Sequence, residues 1–204
     1  MNIPIYEGLP YHDRFGTPIY PDFRNMLRVE SILKDESIGN TEKTFACLSL
    51  LYGSIPKNLD VAFNELLWFL FCGEEPRKAG KGKSNTPIYD YFEDAPYIFA
   101  GFLSSYGIDL SNKDTHLHWW AFMALFIALP ENTQMMRIMC DRNVDTSKMK
   151  GETKRYYEAR KKAVALKPVK RKSYGTLEER KKARQDRLDE LYAEAIKAES
   201  QKGR

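Results

Sequence analysis

Residues 119–129 constrain the fold more than any other stretch of this chain, because they form eleven consecutive apolar residues, WWAFMALFIAL. The run is too short to cross a bilayer, which takes about 20 residues. In a helix, its alanines and Leu125 fall on one face and its aromatic residues on another. A helix that is apolar on both faces must be covered on both. The run therefore predicts the central helix of a globular core, spanning about residues 117–129, with Asp114 or Thr115 as its N-cap.

Helix-start and helix-stop residues divide the remaining chain into further helices. Ser, Thr, Asp and Asn side chains accept hydrogen bonds from the first free amides of a helix, whereas Gly and Pro end helices. No segment alternates polar and apolar residues over the length of a strand. The sequence therefore predicts an all-α protein, a bundle of about six to seven helices with a charged C-terminal helical tail. The other helices of the bundle are predicted to start at or just after Asp22, Asn40 or Thr41, Asn58, Tyr89, Thr133, and Thr146 or Ser147, and to end near Lys34, Gly53, Cys72, Tyr106, Arg142 and Leu166, respectively.

The domain organisation follows from proline, glycine and charge. Four prolines within residues 1–21 fix backbone angles and remove amide donors, so this segment is predicted to be an extended N-terminal arm. Residues 22–166 are predicted to form the helical domain, which a glycine-rich, charged surface loop interrupts at 73–87. Residues 167–204 are predicted to form a basic linker and a charged C-terminal helix at about 177–200.

Charge is distributed unevenly along the chain. Residues 1–150 hold 15 Lys and Arg against 19 Asp and Glu, whereas residues 151–204 hold 17 against 9. A mildly acidic body thus carries a basic C-terminal arm, which suggests a polyanion or an acidic protein surface as a partner. Acidic residues such as Glu178, Glu179 and Asp189 interrupt the basic ones. A solvated helix of mixed charge is therefore the alternative, and the interrupting acidic residues argue against nucleic acid as a partner.

Two motifs that suggest a phosphate site or a metal site are incomplete. Residues 80–84, GKGKS, resemble part of a phosphate-binding loop. Such a loop requires a glycine five positions before Gly82, but that position holds Arg77. A predicted helix, rather than a strand, also precedes this loop. His116 and His118 are two residues apart, so a helix would direct them to different faces, and no further residues complete a set of metal ligands.

Catalytic arrangements are equally incomplete. Cys140 near His118 would supply a thiol and a base, but no glycine-rich oxyanion loop accompanies them. Asp90, Glu93 and Asp94 are candidates for acid–base chemistry, yet carboxylates at the start of a predicted helix are explained by its electrostatics. We therefore predict a non-enzymatic protein with no catalytic residue, no cofactor and no metal.

The cysteines and the N-terminus indicate a cellular compartment. Cys47, Cys72 and Cys140 lie in apolar helical patterns with no CxxC pairing, which is typical of reduced thiols in a cytosol. The N-terminus has no basic segment followed by an apolar one, so no signal peptide is predicted. We expect a soluble cytoplasmic protein that does not contact a membrane.

Several short motifs lie in series along residues 22–166. The most specific are Tyr106-Gly107-Ile108-Asp109-Leu110 and Leu117-His118-Trp119-Trp120. The others are Asp22-Phe23-Arg24, Tyr89-Asp90-Tyr91 with Asp94, Phe102, and Cys140-Asp141-Arg142. Together they resemble a family of small proteins from tailed bacteriophages and prophages of Gram-positive bacteria. The match is less clear in the glycine-rich loop and beyond Pro168.

In that family the genes lie between those of the major tail protein and the tape-measure protein, so the resemblance implies a tail assembly chaperone for long-tailed, siphovirus-like phages. Such a chaperone coats the helical, aggregation-prone tape measure and keeps it soluble until tube subunits assemble around it. The resemblance also implies a homo-oligomer, a frameshift-extended form of the same protein, action in the cytoplasm of the bacterial host, and absence from the mature virion. Two alternatives remain open. One is a structural tail or head–tail connector component, and the other is a nucleic-acid-binding module using the basic C-terminal arm.

A chaperone for a helical partner needs apolar side chains that adapt to varied shapes, and methionine packs in that way. We predict partner contacts from five methionines, with core packing as the alternative for each: Met26, Met123, Met135, Met136 and Met139. Trp119 and Trp120 point about 100° apart on a helix, so one of them is predicted to face a partner unless two layers cover the helix. Leu188, Leu191 and Tyr192, an apolar stripe of the C-terminal helix, complete the predicted contact set.

Overall fold

A computed structural model describes residues 6–74 and 87–167. These residues form seven helices: α1 Phe23–Lys34, α2 Asn40–Tyr52, α3 Leu59–Leu70, α4 Ala95–Tyr106, α5 Trp119–Ile127, α6 Gln134–Asn143 and α7 Gly151–Ala163. In the described ranges, β-structure is limited to two isolated bridges, so the all-α prediction is confirmed. Within the same ranges, no helix is long and apolar enough to span a membrane. The predicted C-terminal helix and most of the glycine-rich loop lie outside the described residues.

Local side-chain chemistry sets several helix ends as predicted. The side chains of Asp22, Asn58 and Thr133 accept backbone amides in the first turns of α1, α3 and α6. Gly53 and Gly107 end α2 and α4 with φ of 71° and 68°, a left-handed conformation that glycine adopts without the steric cost of a Cβ atom. These ends depend only on residues near them in the sequence.

The predicted starts of three helices, α4, α5 and α7, were wrong. Helix α5 begins at Trp119 with His118 as its N-cap, whereas Asp114 and Thr115 lie in the preceding loop. There the Thr115 hydroxyl donates to the carbonyl of Asp109 at 2.7 Å. Helix α4 begins only at Ala95, because the residues before it form turns.

Helix α7 is also shorter than predicted. It spans Gly151–Ala163 rather than about 146–166, and the segment before it is irregular. Helix α2 has Gly39 at its N-cap position, where the Glu42 side chain accepts the Gly39 amide at 3.1 Å. The sequence predicted Asn40 or Thr41 as the capping residue, and that prediction was wrong, because Asn40 is the first residue of α2 itself.

Helix α5 lies at the centre of the core, as the apolar run predicted. It packs against α1 on one side and α4 on the other. The ring of Phe122 stacks between two rings, with centroid distances of 5.1 Å to Phe23 of α1 and 5.0 Å to Phe102 of α4. Both interplanar angles are below 20°. The two layers needed to cover a helix that is apolar on both faces are therefore present.

Both tryptophans of α5 are buried, and both donate hydrogen bonds to the C-terminal end of α3. The indole Nε1 of Trp119 donates to the carbonyl of Leu70 at 2.9 Å, and that of Trp120 donates to the carbonyl of Phe69 at 2.8 Å. The last carbonyls of a helix have no partner within it. The tryptophan pair therefore fills core volume and donates to two carbonyls at this helix end, where the Phe69 carbonyl also accepts the amide of Cys72 at 3.1 Å.

The N-terminal arm contains no helix in its described part, residues 6–21, but it is attached to the bundle. Arg14 lies against the buried carboxylate of Glu65 on α3, with its backbone amide donating to Oε2 at 3.0 Å and its Nε within 3.0 Å of Oε1. Asp13 accepts the hydroxyl of Tyr52 on α2 at 3.0 Å. The described part of the arm thus consists of turns, bends and isolated bridges, and its polar side chains hold it on α2 and α3.

Candidate partner-binding groove

Helix α4 lies at the surface of the bundle, yet its composition is unusual for a surface helix. Its twelve residues, APYIFAGFLSSY, include no charged side chain. Its inner face is buried and includes Ile98, Gly101 and Phe102. A Cβ atom at Gly101 would lie 3.2 Å from the Leu129 side chain, so the glycine lets α4 approach the end of the central helix closely. This packing directs the other side of α4 outward.

The outward side of α4 carries an apolar stripe. Pro96, Ala100 and Leu103 are exposed, and Phe99 between them is half-buried. The Leu103 side chain is 45% exposed. These four positions recur at the three- and four-residue spacing that places side chains on one helical face. We call Pro96, Phe99, Ala100 and Leu103 the α4 stripe.

An open groove lies beside the α4 stripe. It has a volume of about 460 Å³ and runs between α1, the first half of α4 and the loop that precedes α5. Two polar residues, Arg24 and Ser111, belong to its lining, and the remaining lining residues are apolar. They are Phe23, Leu27, Tyr91, Ala95, Pro96, Ile98, Phe99, Leu110 and Phe122. We call this feature the α4 groove.

The one charged side chain lining the α4 groove is engaged within the protein. The guanidinium of Arg24 donates to the carbonyls of Asn112 at 2.6 Å, Thr115 at 2.8 Å and Leu110 at 3.2 Å. It also lies 4.5 Å from the centre of the Phe23 ring. Arg24 therefore fastens the loop before α5 to α1 and shapes one wall of the groove.

A buried ion pair fixes the other end of the groove, where α4 begins. Arg142 of α6 donates through Nη1 and Nη2 to the two carboxylate oxygens of Asp94, at 2.6 and 2.9 Å. The same guanidinium donates to the carbonyl of Ile88 at 3.2 Å and, through Nε, to that of Val164 at 2.6 Å. Asp94 additionally accepts the amide of Asp90 at 2.9 Å. These contacts hold the start of α4 against α6 and the end of α7.

Tyr91 forms part of the groove lining and is itself buried. Its hydroxyl donates to the thioether sulfur of Met123 at 3.1 Å. Burial raises the pKa of Tyr91 far above its ordinary value, so the phenol stays neutral at physiological pH. The groove floor therefore carries no ionised side chain at this position.

The residues predicted to contact a partner do not line the α4 groove. Met26, Trp119, Trp120 and Met135 are buried, so they form no surface that a partner can contact in this folded state, and we assign them to the core. Met123, Met136 and Met139 are half-buried and pack against that core. Leu188, Leu191 and Tyr192 lie outside the described residues. The signal that would have pointed to the groove is the absence of charge across residues 95–106.

The candidate chemical sites have structural explanations. His118 accepts the amide of Trp120 through Nδ1 at 3.0 Å and contacts the carbonyl of Pro10 through Nε2 at 2.8 Å. Burial, the largest influence, lowers the pKa of His118 below 6.5, although the Pro10 carbonyl opposes the shift. Cys140 is exposed, whereas His118 is buried. No group of three or more His, Cys, Asp or Glu that could hold a metal occurs in the part of the chain that the structure describes.

The described part of the basic arm uses some of its cations internally. Arg160 on α7 pairs with Asp141 of α6 at 2.9 Å, and Lys161 donates to the carbonyl of Val144 at 3.2 Å. No residue of α7 is buried, so these polar contacts, together with Arg142, hold the helix in place. They reduce the charge that this helix offers to a polyanion.

Comparison with known proteins finds one family. Residues 13–166 match the family model described as "Bacteriophage Gp15 protein". The match includes the seven helices and the α4 groove. No curated protein and no solved structure matches the chain.

Proposed function

The chain belongs to the bacteriophage Gp15 protein family, and on that premise we propose that it is a tail assembly chaperone that binds the tape-measure protein and keeps it soluble during tail assembly. The observation that carries the proposal beyond the family is the α4 groove with its uncharged stripe. A surface of this kind is suited to a protein partner rather than to a nucleic acid, because nucleic-acid sites depend on cations that contact phosphates.

The physical demand on such a chaperone agrees with this surface. We expect an unassembled tape measure to expose long apolar helical faces, and exposed faces of that kind aggregate. A chaperone must cover them while leaving the partner releasable. An open groove of about 460 Å³ between helices can accept apolar side chains without unfolding either protein.

The other predicted properties belong to the same proposed function. Binding of this kind involves no catalytic step, cofactor or metal. It takes place in the cytoplasm of the bacterial host, before the tail is complete, and the chaperone is absent from the mature virion. Self-association and a frameshift-extended form, both implied by the family resemblance, stay predictions of the same proposal.

Co-expression tests the proposal. The tape-measure gene from the same phage genome is expressed with this chain and, separately, with an empty vector, and the soluble fraction of the tape measure is measured. We expect a severalfold increase in soluble tape measure and a complex that survives affinity purification. Equal insolubility in both cultures, with no complex, would falsify the proposal.

Particle composition distinguishes a chaperone from the alternative, a structural tail or head–tail connector component. Quantitative mass spectrometry of purified particles should find this chain absent or far below the copy number of the tape measure. Stoichiometric presence in particles would instead identify a tail or connector component.

A further inference from the structure

We infer that the α4 groove binds a single amphipathic α-helix of the partner, which lies along the α4 stripe and inserts an apolar side chain toward Phe122. This inference rests on the proposed function and deepens it, because it names the form in which the partner is recognised. The partner helix must present an unbroken, uncharged apolar face.

The apolar lining decides the secondary structure of the partner. An extended peptide in the groove would bury amide and carbonyl groups against apolar side chains, and each group left unpaired there destabilises the complex. An extended peptide avoids this cost by adding to the edge of a sheet, but the described residues form only isolated bridges. A helix satisfies its own backbone groups. The groove therefore favours a helical partner.

The α4 stripe sets the length and spacing of the contact. Pro96 and Leu103 are seven residues apart, so the stripe extends about 10 Å along α4, or two helical turns. Ala100 in its middle is small, which allows a second helix to approach to the usual interaxial distance of about 8–10 Å. A partner helix packed there contacts the stripe with apolar residues at positions i, i+3 or i+4, and i+7.

The charges around the groove decide what the partner face must lack. Helix α4 has no charged residue, and the guanidinium of Arg24 already donates to three carbonyls. At the start of α4, Asp94 and Arg142 neutralise each other. A charged residue on the contact face of the partner would lose water without gaining a counter-ion in the groove. Selection is therefore by shape and apolar character, and binding is nearly independent of salt concentration.

Peptide binding to the full-length chain tests the inference. The probes are overlapping synthetic peptides that cover the tape-measure protein, each with a fluorophore. Peptides with an uncharged apolar face are expected to bind and to gain helical circular dichroism on binding. A scrambled peptide of the same composition, whose apolar residues no longer fall on one face, is expected to bind at least tenfold more weakly.

A matched pair of variants locates the site. Ala100→Glu places a carboxylate in the α4 stripe, and Ala159→Glu makes the same change at an exposed position of α7. Ala100→Glu is expected to weaken peptide binding at least tenfold, while Ala159→Glu leaves it within twofold of the unchanged protein. Both variants should keep the thermal midpoint of the unchanged protein. If Ala100→Glu fails to fold, Leu103→Gln replaces it as a milder polar change in the same stripe.

Several results would overturn the inference. These are equal peptide binding by Ala100→Glu and Ala159→Glu, binding without a gain in helix, equal binding of the scrambled peptide, a steep loss of affinity with salt, and no peptide binding at all. Dissociation of an oligomer by Ala100→Glu, with peptide binding unchanged, would assign the stripe to a second copy of the chain instead. If Ala100→Glu still solubilises the tape measure as the unchanged protein does, the groove inference fails while the chaperone function stands.

Discussion

The guanidinium of Arg142 and the carboxylate of Asp94 form a bidentate ion pair whose side chains are only 9% and 2% exposed. The two residues are 48 positions apart in the chain, and their contact joins the start of α4 to the last turn of α6. Through Nε, Arg142 also donates to the carbonyl of Val164, the C-cap residue of α7. One side chain therefore holds three helices at the end of the candidate groove.

Replacing Arg142 by Met should be severely destabilising. The variant leaves the Asp94 carboxylate buried without its counter-ion, which costs about 3–5 kcal/mol in the free energy of unfolding. Urea denaturation followed by circular dichroism measures the loss. The control is Arg160→Met, which removes an exposed ion pair with Asp141 and should have a much smaller effect. Equal losses in the two variants would contradict the role assigned to the buried pair.

The two glycines that end α2 and α4 should respond differently to alanine. Both have left-handed backbone angles, so either substitution costs about 1–2 kcal/mol of backbone strain. A Cβ atom at Gly53 would also lie 2.6 Å from the Tyr20 ring, whereas nothing lies within 4 Å of one at Gly107. Thermal unfolding should therefore show Gly53→Ala to be the more destabilising. In a Tyr20→Ala background the difference should disappear, and its persistence would mean that the ring is not the cause.

The free energy of unfolding should fall in mild acid because of His118. Its Nδ1 accepts the amide of Trp120, so the ring must be neutral to cap α5, and burial lowers its pKa below 6.5. In the unfolded chain the ring takes up a proton as the pH falls below 6.5, whereas the folded protein resists protonation until a lower pH. The stabilising contribution is thus complete above 6.5 and is lost progressively as the pH falls toward the folded-state pKa.

The variant His118→Asn separates this effect from other titrations. Asparagine can still cap a helix but does not titrate. Unfolding free energies measured on both sides of pH 6.5 should show a larger acid loss for the unchanged protein than for His118→Asn. Parallel pH profiles would contradict the neutral-histidine cap.

The three cysteines should differ sharply in reactivity. Burial raises the pKa of Cys47 to about 11 and that of Cys72 to about 12, so neither thiol ionises near neutral pH. Cys140 is exposed. Mass spectrometry after brief alkylation of the native protein should find modification at Cys140 and, only after denaturation, at the other two. Alkylation of Cys47 or Cys72 at a comparable rate in the native protein would show that the core opens readily.

Local chemistry made much of the fold predictable. Asp22, Asn58 and Thr133 begin helices because a side-chain oxygen two or three residues away from an amide can accept it whatever the rest of the fold does. The central position of α5 was predictable because a helix that is apolar on both faces has no stable alternative to burial. The bacteriophage family found by comparison agrees with the resemblance of the sequence motifs to phage proteins. The family model matches residues 13–166, whereas the motif resemblance covered residues 22–166.

The helix starts that were predicted wrongly depend on distant residues. Asp94 occupies the N-cap position of α4, yet its side chain makes no capping hydrogen bond, because its carboxylate pairs with Arg142 and accepts the amide of Asp90. Residues 91–94 form turns instead of the predicted first helical turn. His118 caps α5 because Pro10, 108 residues away, fixes its ring. A capping residue cannot be chosen among several candidates until the contacts that compete for its side chain are known.

By itself, the sequence determined that the protein is helical, which segment lies at its centre, and that residues 95–106 carry no charge. Helical period and capping are local properties, so they can be read along the chain. Only the tertiary structure decided that Trp119, Trp120, Met26 and Met135 belong to the core, while Phe99, Ala100 and Leu103 face outward beside a groove. Apolar side chains favour burial and binding for the same physical reason, and the packing of neighbouring helices decides which of them remain exposed.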